Sequence, residues 1–352
     1  MRVAIEAAPL ALSSGGLHRY TTELSLALAR CFPDDEFYLV SDQPFQLPKG
    51  SPGNLKRGGG PRNAAERRWW LWGLTRELAR LGADVVHGPD FAVPYLARLP
   101  SVLTLHDLSP WMNEQWHHAA GRVKRRTPLL LELGAASMVI TDSETVRKQA
   151  IEHFRLRPDR VVAVPLAAAP CFQPVPPPPA PNTPYFLSVC TLEPRKNLPV
   201  LLEAWRSLRR DHAIDLVLAG RRRADFPAPA PEPGLHLLGE VPDEHLPALY
   251  SGALAFVYPS LYEGFGLPVL EAMQCGACVI ASHAVSEIAG DAAIYAGTAE
   301  DLAQAMRHLV MEPAVLTDWR ARSLARAHLF SWERTARLTY EVYGEARRRF
   351  AA

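Results

Sequence analysis

The sequence predicts an α/β fold of two Rossmann-like domains, each built on a parallel sheet. Three observations predict it. The chain has 352 residues, a length at which single cores usually split into domains. Short apolar runs alternate with amphipathic helical patterns, which is typical of parallel sheets covered on both faces. This alternation breaks once, at a proline-rich segment, and then restarts.

The first half of the chain contains the predicted strands of the N-terminal domain. They are Val3–Ile5, Phe37–Val40, Val85–His87, Val102–Leu105, Val139–Thr141 and Val161–Val164. Leu17–Arg30 follows the first strand and carries one apolar face, which predicts a helix. The apolar start Met1–Leu12 is interrupted by Glu6, which favours a buried strand over a secretion signal. Asp42–Pro61 shows no period and is predicted to be a mobile loop.

A proline-rich run, Gln173–Pro181, separates the halves and is predicted to be a semi-rigid linker. The strands predicted after it are Tyr185–Val189, Leu216–Leu218, Leu235–Leu238, Ala255–Tyr258 and Val279–Ala281. Arg222–Pro233 is a second predicted loop, and Leu302–Leu309 and Glu333–Arg348 are the closing helices. The predicted division is an N-terminal domain over 1–172, a linker over 173–183, a C-terminal domain over 184–330, and a helix over 331–352 that packs back on the N-terminal domain. Ligands of such paired domains often bind in the cleft between them.

Composition excludes several classes of protein. A net charge of +1 gives no overall field for binding nucleic acid. No stretch approaches the roughly 20 apolar residues of a membrane-spanning helix. Five cysteines scattered along a long chain indicate reduced thiols and a cytoplasmic location. Cys275 and Cys278 have the spacing of a zinc motif, but no second ligand pair lies nearby in the sequence, so a buried helix end is favoured.

The segment with the clearest chemistry is Glu263-Gly264-Phe265-Gly266-Leu267-Pro268-Val269-Leu270-Glu271. It follows a predicted strand, and Pro268 suits the first turn of a helix that ends near Gly276. Glycines let the backbone approach a ligand, and a helix N-terminus favours an anion. Two carboxylates around amide donors suit a molecule with a central diphosphate and hydroxyls at both ends. An ordinary helix N-terminus with stabilising acids stays open as the alternative.

This segment resembles the donor-binding signature of glycosyltransferase family 4, which has the GT-B fold. Further segments carry the same resemblance in the family's order and cover nearly the whole chain. They are Gly15–Tyr20, Leu105–Asp107, Thr141–Glu144, Thr191–Asn197, Leu249–Tyr250 and Phe330–Glu333.

The resemblance implies a retaining transfer of a hexose from a nucleotide-sugar to a glycan or lipid-linked acceptor. Thr191–Asn197 is similar to the motif of bacterial mannosyltransferases that build surface polysaccharides of the O-antigen type, which suggests mannose from GDP-mannose. No cofactor and no metal ion are expected, since cations and a helix N-terminus can hold the diphosphate. A nucleotide-sugar epimerase, a phosphorylase and a non-catalytic nucleotide-sugar-binding protein stay open as alternatives.

The resemblance also implies residue roles. His106 and Glu263 are the expected catalytic residues, and Glu271 is expected to hold the ribose hydroxyls. The other expected donor-binding residues are Gly16, Arg195, Lys196, Gly264, Phe265, Gly266 and Leu267. Arg195 and Lys196 would neutralise the diphosphate, unless they are merely solvated at a helix start. Cys190 stands where the family often has Gly, which puts the geometry of the donor site in doubt.

A basic cluster marks a second predicted surface. Together with nearby tryptophans, this cluster suits binding to anionic lipid or to a lipid-linked acceptor at the inner membrane face. A solvated helix face is an equally weighted alternative. The candidate residues for this acceptor or membrane side are Gly15, His18, Arg122, Lys124, Arg125 and Arg126.

Overall fold

A computed structural model describes residues 1–12, 14–96, 98–116, 120–176 and 183–351. It divides into two compact units, Met1–Leu166 with Ser331–Ala352, and Ala167–Phe330. The boundary lies upstream of the predicted position 172 because the Gln274 side chain donates hydrogen bonds to the carbonyls of Ala169 (3.0 Å) and Phe172 (2.7 Å). This contact holds the segment in the second unit. Residues 177–182 of the predicted linker, and Ala352, lie outside the described residues.

The described part of the first unit contains a seven-stranded parallel sheet in the order β3-β2-β1-β4-β5-β6-β7. Its strands are β1 (Arg2–Glu6), β2 (Glu36–Val40), β3 (Leu55–Arg57), β4 (Val85–Gly88), β5 (Ser101–Leu105), β6 (Met138–Thr141) and β7 (Val161–Ala163). The six predicted strands are confirmed. The loop predicted over Asp42–Pro61 is wrong at β3, which pairs with β2 as a short edge strand.

Helices surround this sheet. They are α1 (Gly16–Cys31), α2 (Leu74–Leu81), α3 (Ser109–Met112), α4 (Gly121–Glu132) and α5 (Glu144–Phe154), with 3-10 turns at Ala8–Ala11, Glu114–Trp116 and Pro158–Arg160 and a π-helical turn at Trp69–Gly73. Every residue of β4, β5 and β6 is buried, as expected for a parallel sheet covered on both faces. Ser143 caps α5 by accepting a hydrogen bond from the Val146 amide.

The described part of the second unit contains a six-stranded parallel sheet in the order β10-β9-β8-β11-β12-β13. Its strands are β8 (Tyr185–Val189), β9 (Asp215–Ala219), β10 (Leu235–Gly239), β11 (Ala255–Tyr258), β12 (Val279–Ala281) and β13 (Ile294–Tyr295). Its helices are α6 (Leu198–Arg209), α7 (Leu246–Gly252), α8 (Leu267–Gln274), α9 (Ser286–Ala289), α10 (Ala299–Met311) and α11 (Val315–Ala327), with 3-10 turns at Pro194–Lys196 and His283–Val285. The sequence prediction missed the two-residue strand β13.

The C-terminal helix α12 (Trp332–Ala351) belongs to the first unit. The Tyr343 hydroxyl lies 2.8 Å from Nδ1 of the buried His87, and Thr335 donates a hydrogen bond to the Pro165 carbonyl (2.7 Å). The Tyr340 ring stacks on Phe32 with 3.7 Å between centroids. In the ranges described, none of the helices combines the length and the apolar character needed to cross a membrane.

Candidate functional site

Two chain segments meet at the carboxyl edge of the second unit's sheet. One segment, Cys190–Lys196, follows β8, and the other, Pro259–Gly266, follows β11. Since β8 and β11 are adjacent parallel strands, their carboxyl ends lie side by side. The Leu261 amide donates a hydrogen bond to the Arg195 carbonyl (2.8 Å), which joins the segments. This sheet edge brings together three of the predicted site residues, Arg195, Lys196 and Glu263.

Glu263 is the centre of this site. One carboxylate oxygen accepts hydrogen bonds from Lys196 Nζ (2.5 Å) and Ser260 Oγ (2.5 Å), and the other accepts one from Arg195 Nη1 (3.2 Å). Burial alone would raise the pKa of Glu263, but the positive charges of Lys196 and Arg195 lower that pKa to about 2. Glu263 is therefore ionised throughout the physiological pH range.

Lys196 is buried and Arg195 is half-buried, so neither side chain is merely solvated. Their side chains are 9% and 11% exposed. Lys196 Nζ donates to the Tyr258 hydroxyl (2.7 Å) and lies 5.0 Å from the centre of that ring. Arg195 donates to Glu193 (2.9 Å) and to the Tyr262 carbonyl (3.0 Å). We name Arg195, Lys196, Tyr258, Ser260 and Glu263 the Glu263 network.

Backbone conformation explains how the sequence forms this edge. Asn197 has a positive φ of 53°, which ends the turn that carries Lys196. Gly266 has a φ of 99°, and a Cβ at this position would lie 2.8 Å from the Val285 side chain. Only glycine fits there without strain. Helix α8 begins directly after it, and Pro268 in its first turn has no N–H to leave unpaired, as predicted.

Glu271 lies on α8 and is 1% exposed. It accepts a hydrogen bond from the Tyr250 hydroxyl (3.2 Å), which comes from α7. The amides of Val269 and Leu270 both donate to the Gly266 carbonyl. The amide of Leu267 precedes these bonds and therefore lies ahead of the helix ladder, where a helix N-terminus attracts an anion.

Cys190, Cys275 and Cys278 are buried, neutral thiols, whereas Cys171 of the same unit is exposed. Burial raises the pKa of Cys190 to about 11 and that of Cys275 and Cys278 to about 12 each. Cys190 does not have a positive φ, so it causes no left-handed strain. Its neighbour Gly220 cannot carry a side chain, because a Cβ there would lie 1.9 Å from the Cys190 carbonyl oxygen. Across the described ranges, no group of three or more His, Cys, Asp or Glu side chains is arranged to hold a metal ion.

A histidine centre occupies the carboxyl edge of the first unit's sheet. His106 follows β5, and its Nδ1 lies 2.7 Å from Asp142, which follows β6. Its Nε2 lies 2.6 Å from the Pro89 carbonyl. Both ring nitrogens thus face acceptors, an arrangement that only the doubly protonated ring satisfies. Burial lowers the pKa of His106, but the Asp142 charge and these bonds outweigh burial and raise it to about 9.

Aromatic rings surround this histidine. The centroid of Tyr20 lies 4.8 Å from that of His106, edge to face, and the centroid of Phe91 lies 5.9 Å away. Phe91 has a positive φ of 54°, a strained conformation for a bulky residue. Oδ1 of Asp142 has no hydrogen-bond partner among the described residues. Burial raises the pKa of Asp142, and the positive charge of His106 counteracts part of that rise.

Gly15 and Gly16 form the start of α1. Gly15 is the N-cap with a φ of 108°, and a Cβ added to either glycine would meet no atom within 4 Å. The space beside them is therefore open. His18 lies in the first turn of the same helix, and its Nδ1 is buried without a hydrogen-bond partner in the described part of the chain.

The predicted basic surface divides in two. Arg122 and Arg125 are exposed and Lys124 is half-buried on α4. Arg126 instead lies with its guanidinium 4.8 Å from the centre of the Trp70 ring, and burial lowers its pKa while the nearby Asp90 charge raises it. Arg126 thus packs on an aromatic ring, and its assignment to the acceptor or membrane side stays a prediction.

Sequence reasoning did not single out Tyr258, Ser260, Glu193 or Asp142, although all four contact a predicted site residue. Their positions in the sequence could have identified them, since each is the last residue of a strand or follows its end within a few residues. The carboxyl ends of parallel strands are where ligands bind in such sheets.

Comparison with known proteins decides the family. The model of Glycosyltransferase Family 4 matches residues 14–168, and that of Glycosyl transferases group 1 matches residues 183–312. The O-antigen chain mannosyltransferase B of Escherichia coli is 36% identical over 286 residues, which cover 74% of each chain. This chain belongs to glycosyltransferase family 4.

This glycosyltransferase is also similar to a second mannosyltransferase in sequence and to solved glycosyltransferase structures in fold. It is 28% identical to the serotype-specific mannosyltransferase WbdA of Escherichia coli over 76% of its own length, but spans only 37% of that protein. Its fold is similar to that of Anabaena HepE in complex with UDP-glucose (TM-score 0.72, 16% identity, 97% and 98% of the two chains). It is also similar to WaaG, a glycosyltransferase of lipopolysaccharide biosynthesis (TM-score 0.68, 15% identity, 97% and 99%). The structural likenesses confirm the predicted GT-B fold, and the mannosyltransferase relatives in sequence confirm that the chain is a transferase.

Proposed function

We propose that this glycosyltransferase moves mannose from GDP-mannose to a hydroxyl of a glycan or lipid-linked acceptor, with retention of the anomeric configuration. The observation that carries the proposal is the 36% identity to an O-antigen chain mannosyltransferase over 74% of each chain. The Glu263 network supports it, because a buried ammonium bonded to the loop that leads into helix α8 suits a diphosphate.

The reaction breaks the bond between the sugar C1 and the diphosphate oxygen and forms a bond from C1 to the acceptor oxygen. The acceptor proton passes to the leaving diphosphate on the same face of the sugar. Negative charge grows on the leaving oxygen in the transition state, where a positioned cation stabilises it most. We assign this role to Lys196 and to the amide of Leu267, and we propose that no metal ion is needed.

The remaining roles are part of the same proposal. Glu271 holds the ribose hydroxyls of the donor. Glu263 contacts the transferred sugar when Lys196 turns towards the diphosphate, while Arg195 keeps the two loops joined. Both ring nitrogens of His106 are already engaged within the first unit, so we assign to His106 a contribution of positive charge rather than a new hydrogen bond.

A thermal-shift panel of GDP-mannose, UDP-glucose and ADP-glucose tests the donor assignment. We expect GDP-mannose to stabilise the wild-type protein and Lys196→Ala to abolish most of that stabilisation. Removal of one charge-stabilising donor typically lowers the transfer rate by about 10²–10³. Lys148→Ala, an exposed lysine on α5, is the matched control and should behave like the wild type. NMR of the product gives the anomeric configuration, and EDTA should leave the rate unchanged.

The proposal fails if no nucleotide-sugar stabilises the protein and Lys196→Ala changes nothing. Stabilisation by UDP-glucose alone would keep the glycosyltransferase chemistry and reject the donor. An inverted product would reject retention without affecting the donor assignment.

A further inference from the structure

Tyr258 is the last residue of β11, and its hydroxyl lies at the centre of the Glu263 network. The hydroxyl accepts a hydrogen bond from Lys196 Nζ (2.7 Å), and the same ammonium donates to Glu263 (2.5 Å). The side chain is 1% exposed. Lys196 thus bridges the neutral phenol of Tyr258 and the carboxylate of Glu263.

Arg195 and Lys196 differ in how many of their N–H donors already bond to the protein. Arg195 uses its guanidinium on Glu193, on the Tyr262 carbonyl and on Glu263. These bonds fasten the loop after β8 to the loop after β11. Among the described residues, Lys196 donates two hydrogen bonds, to Tyr258 and to Glu263, and an ammonium has three N–H donors. A ligand with concentrated negative charge can therefore engage Lys196 without dismantling the loops.

We propose that Tyr258 is a positioning residue that holds the Lys196 ammonium in place for the donor's diphosphate. The inference rests on the proposed function. If Glu263 were the sole partner of Lys196, the carboxylate would compete with the diphosphate for the ammonium. The phenol gives the ammonium a neutral second anchor, which it keeps when it turns from the carboxylate to the diphosphate.

The environment keeps this anchor neutral. Burial raises the pKa of Tyr258 well above its ordinary value, and the nearby charge of Glu263 raises it further. A phenol that never ionises at physiological pH can accept from the ammonium without adding a negative charge that would repel a diphosphate. Phenylalanine preserves the ring 5.0 Å from Lys196 and removes only the hydroxyl, so Tyr258→Phe isolates this contact.

The test compares Tyr258→Phe with Tyr185→Phe. Tyr185 lies on β8 of the same sheet, is also buried, and loses a single hydrogen bond to the Leu249 carbonyl (2.8 Å). We measure the inhibition constants of GDP and of guanosine, together with KM and kcat for transfer from GDP-mannose. Loss of a hydrogen bond to a charged group should weaken GDP about tenfold to a hundredfold in Tyr258→Phe and leave guanosine unchanged. The value of kcat should fall at least as far, because the charge on the leaving phosphate is largest in the transition state.

The outcomes separate this inference from the proposed function. If Tyr258→Phe weakens GDP and guanosine equally, or matches Tyr185→Phe, the hydroxyl has only a structural role and the inference is overturned while the function stands. If the wild-type protein binds neither GDP nor GDP-mannose, both the proposed function and the inference are rejected.

Discussion

Glu263 and Asp142 are buried carboxylates that each face a cation at the carboxyl edge of their own unit's sheet, and they differ in how fully their oxygens are hydrogen-bonded. Glu263 accepts from Lys196, Arg195 and Ser260, which occupy both of its oxygens. Asp142 accepts from His106 at Oδ2 and has no partner at Oδ1 in the described residues. The pKa of Glu263 is lowered to about 2, whereas burial raises that of Asp142.

This difference teaches that the same position in the fold supports two kinds of centre. Glu263 is a fixed anion, because several donors would have to be removed before it could take up a proton. The charge of Asp142 depends on a single partner that itself titrates. The charge of the histidine centre is therefore sensitive to pH, whereas the charge of the Glu263 carboxylate stays constant.

The largest effect is expected from Glu263→Gln. It removes the negative charge and leaves the buried Lys196 and the half-buried Arg195 beside a neutral amide. Removing one member of a buried ion pair typically costs about 3–5 kcal/mol, because the remaining charge loses its compensation. We expect a decrease of this order in the free energy of unfolding, measured in urea, and loss of sugar transfer. Glu203→Gln, an exposed carboxylate on α6, is the control and should change neither. A stable Glu263→Gln protein would show that Arg195 and Lys196 find other counter-charges.

A smaller, pH-dependent effect is expected from Asp142→Asn. The pKa of His106 in the folded protein is raised to about 9, above that of an unfolded chain. Its stabilisation is therefore complete below about pH 6.5 and is lost as the pH rises through about 9. The wild-type free energy of unfolding should fall by ~1–3 kcal/mol over this window, because part of the pair's attraction is offset by burying Asp142. Asp142→Asn should flatten the profile, and an unchanged slope would show that Asp142 does not hold the charge of His106.

The sequence predicted much of the fold, and its failures have physical causes. The three apolar residues of Val279–Ala281 still leave a readable run, whereas Leu55–Arg57 has one apolar residue followed by two exposed cations and Ile294–Tyr295 has only two residues. Periodicity also does not give the order of strands. The pairing of Lys196 with Glu263 depends on β8 and β11 being neighbours, so the sequence named both residues without indicating that they touch.

The sequence also did not reveal which side chains contact the site residues, because such contacts depend on the folded arrangement. Tyr258 ends a strand of buried residues and looks like one more core side chain, and its polar role shows only when Lys196 is placed beside it. Arg126 belongs to a basic run in the sequence, yet its guanidinium packs on Trp70 while Arg122 stays exposed. Charge clusters in a sequence do not reveal which members of the cluster point inwards.

The smallest effect is expected from Ser260→Ala. Ser260 is one of several donors to Glu263, and Lys196 still donates to the same oxygen after its removal. The net contribution of a single hydrogen bond is about 1 kcal/mol, so the free energy of unfolding should fall by no more than this and the pKa of Glu263 should stay low. Ser207→Ala, a half-buried serine on α6, provides the baseline. A loss as large as that of Glu263→Gln would show that the carboxylate relies on one critical donor, and the contrast with Asp142 would disappear.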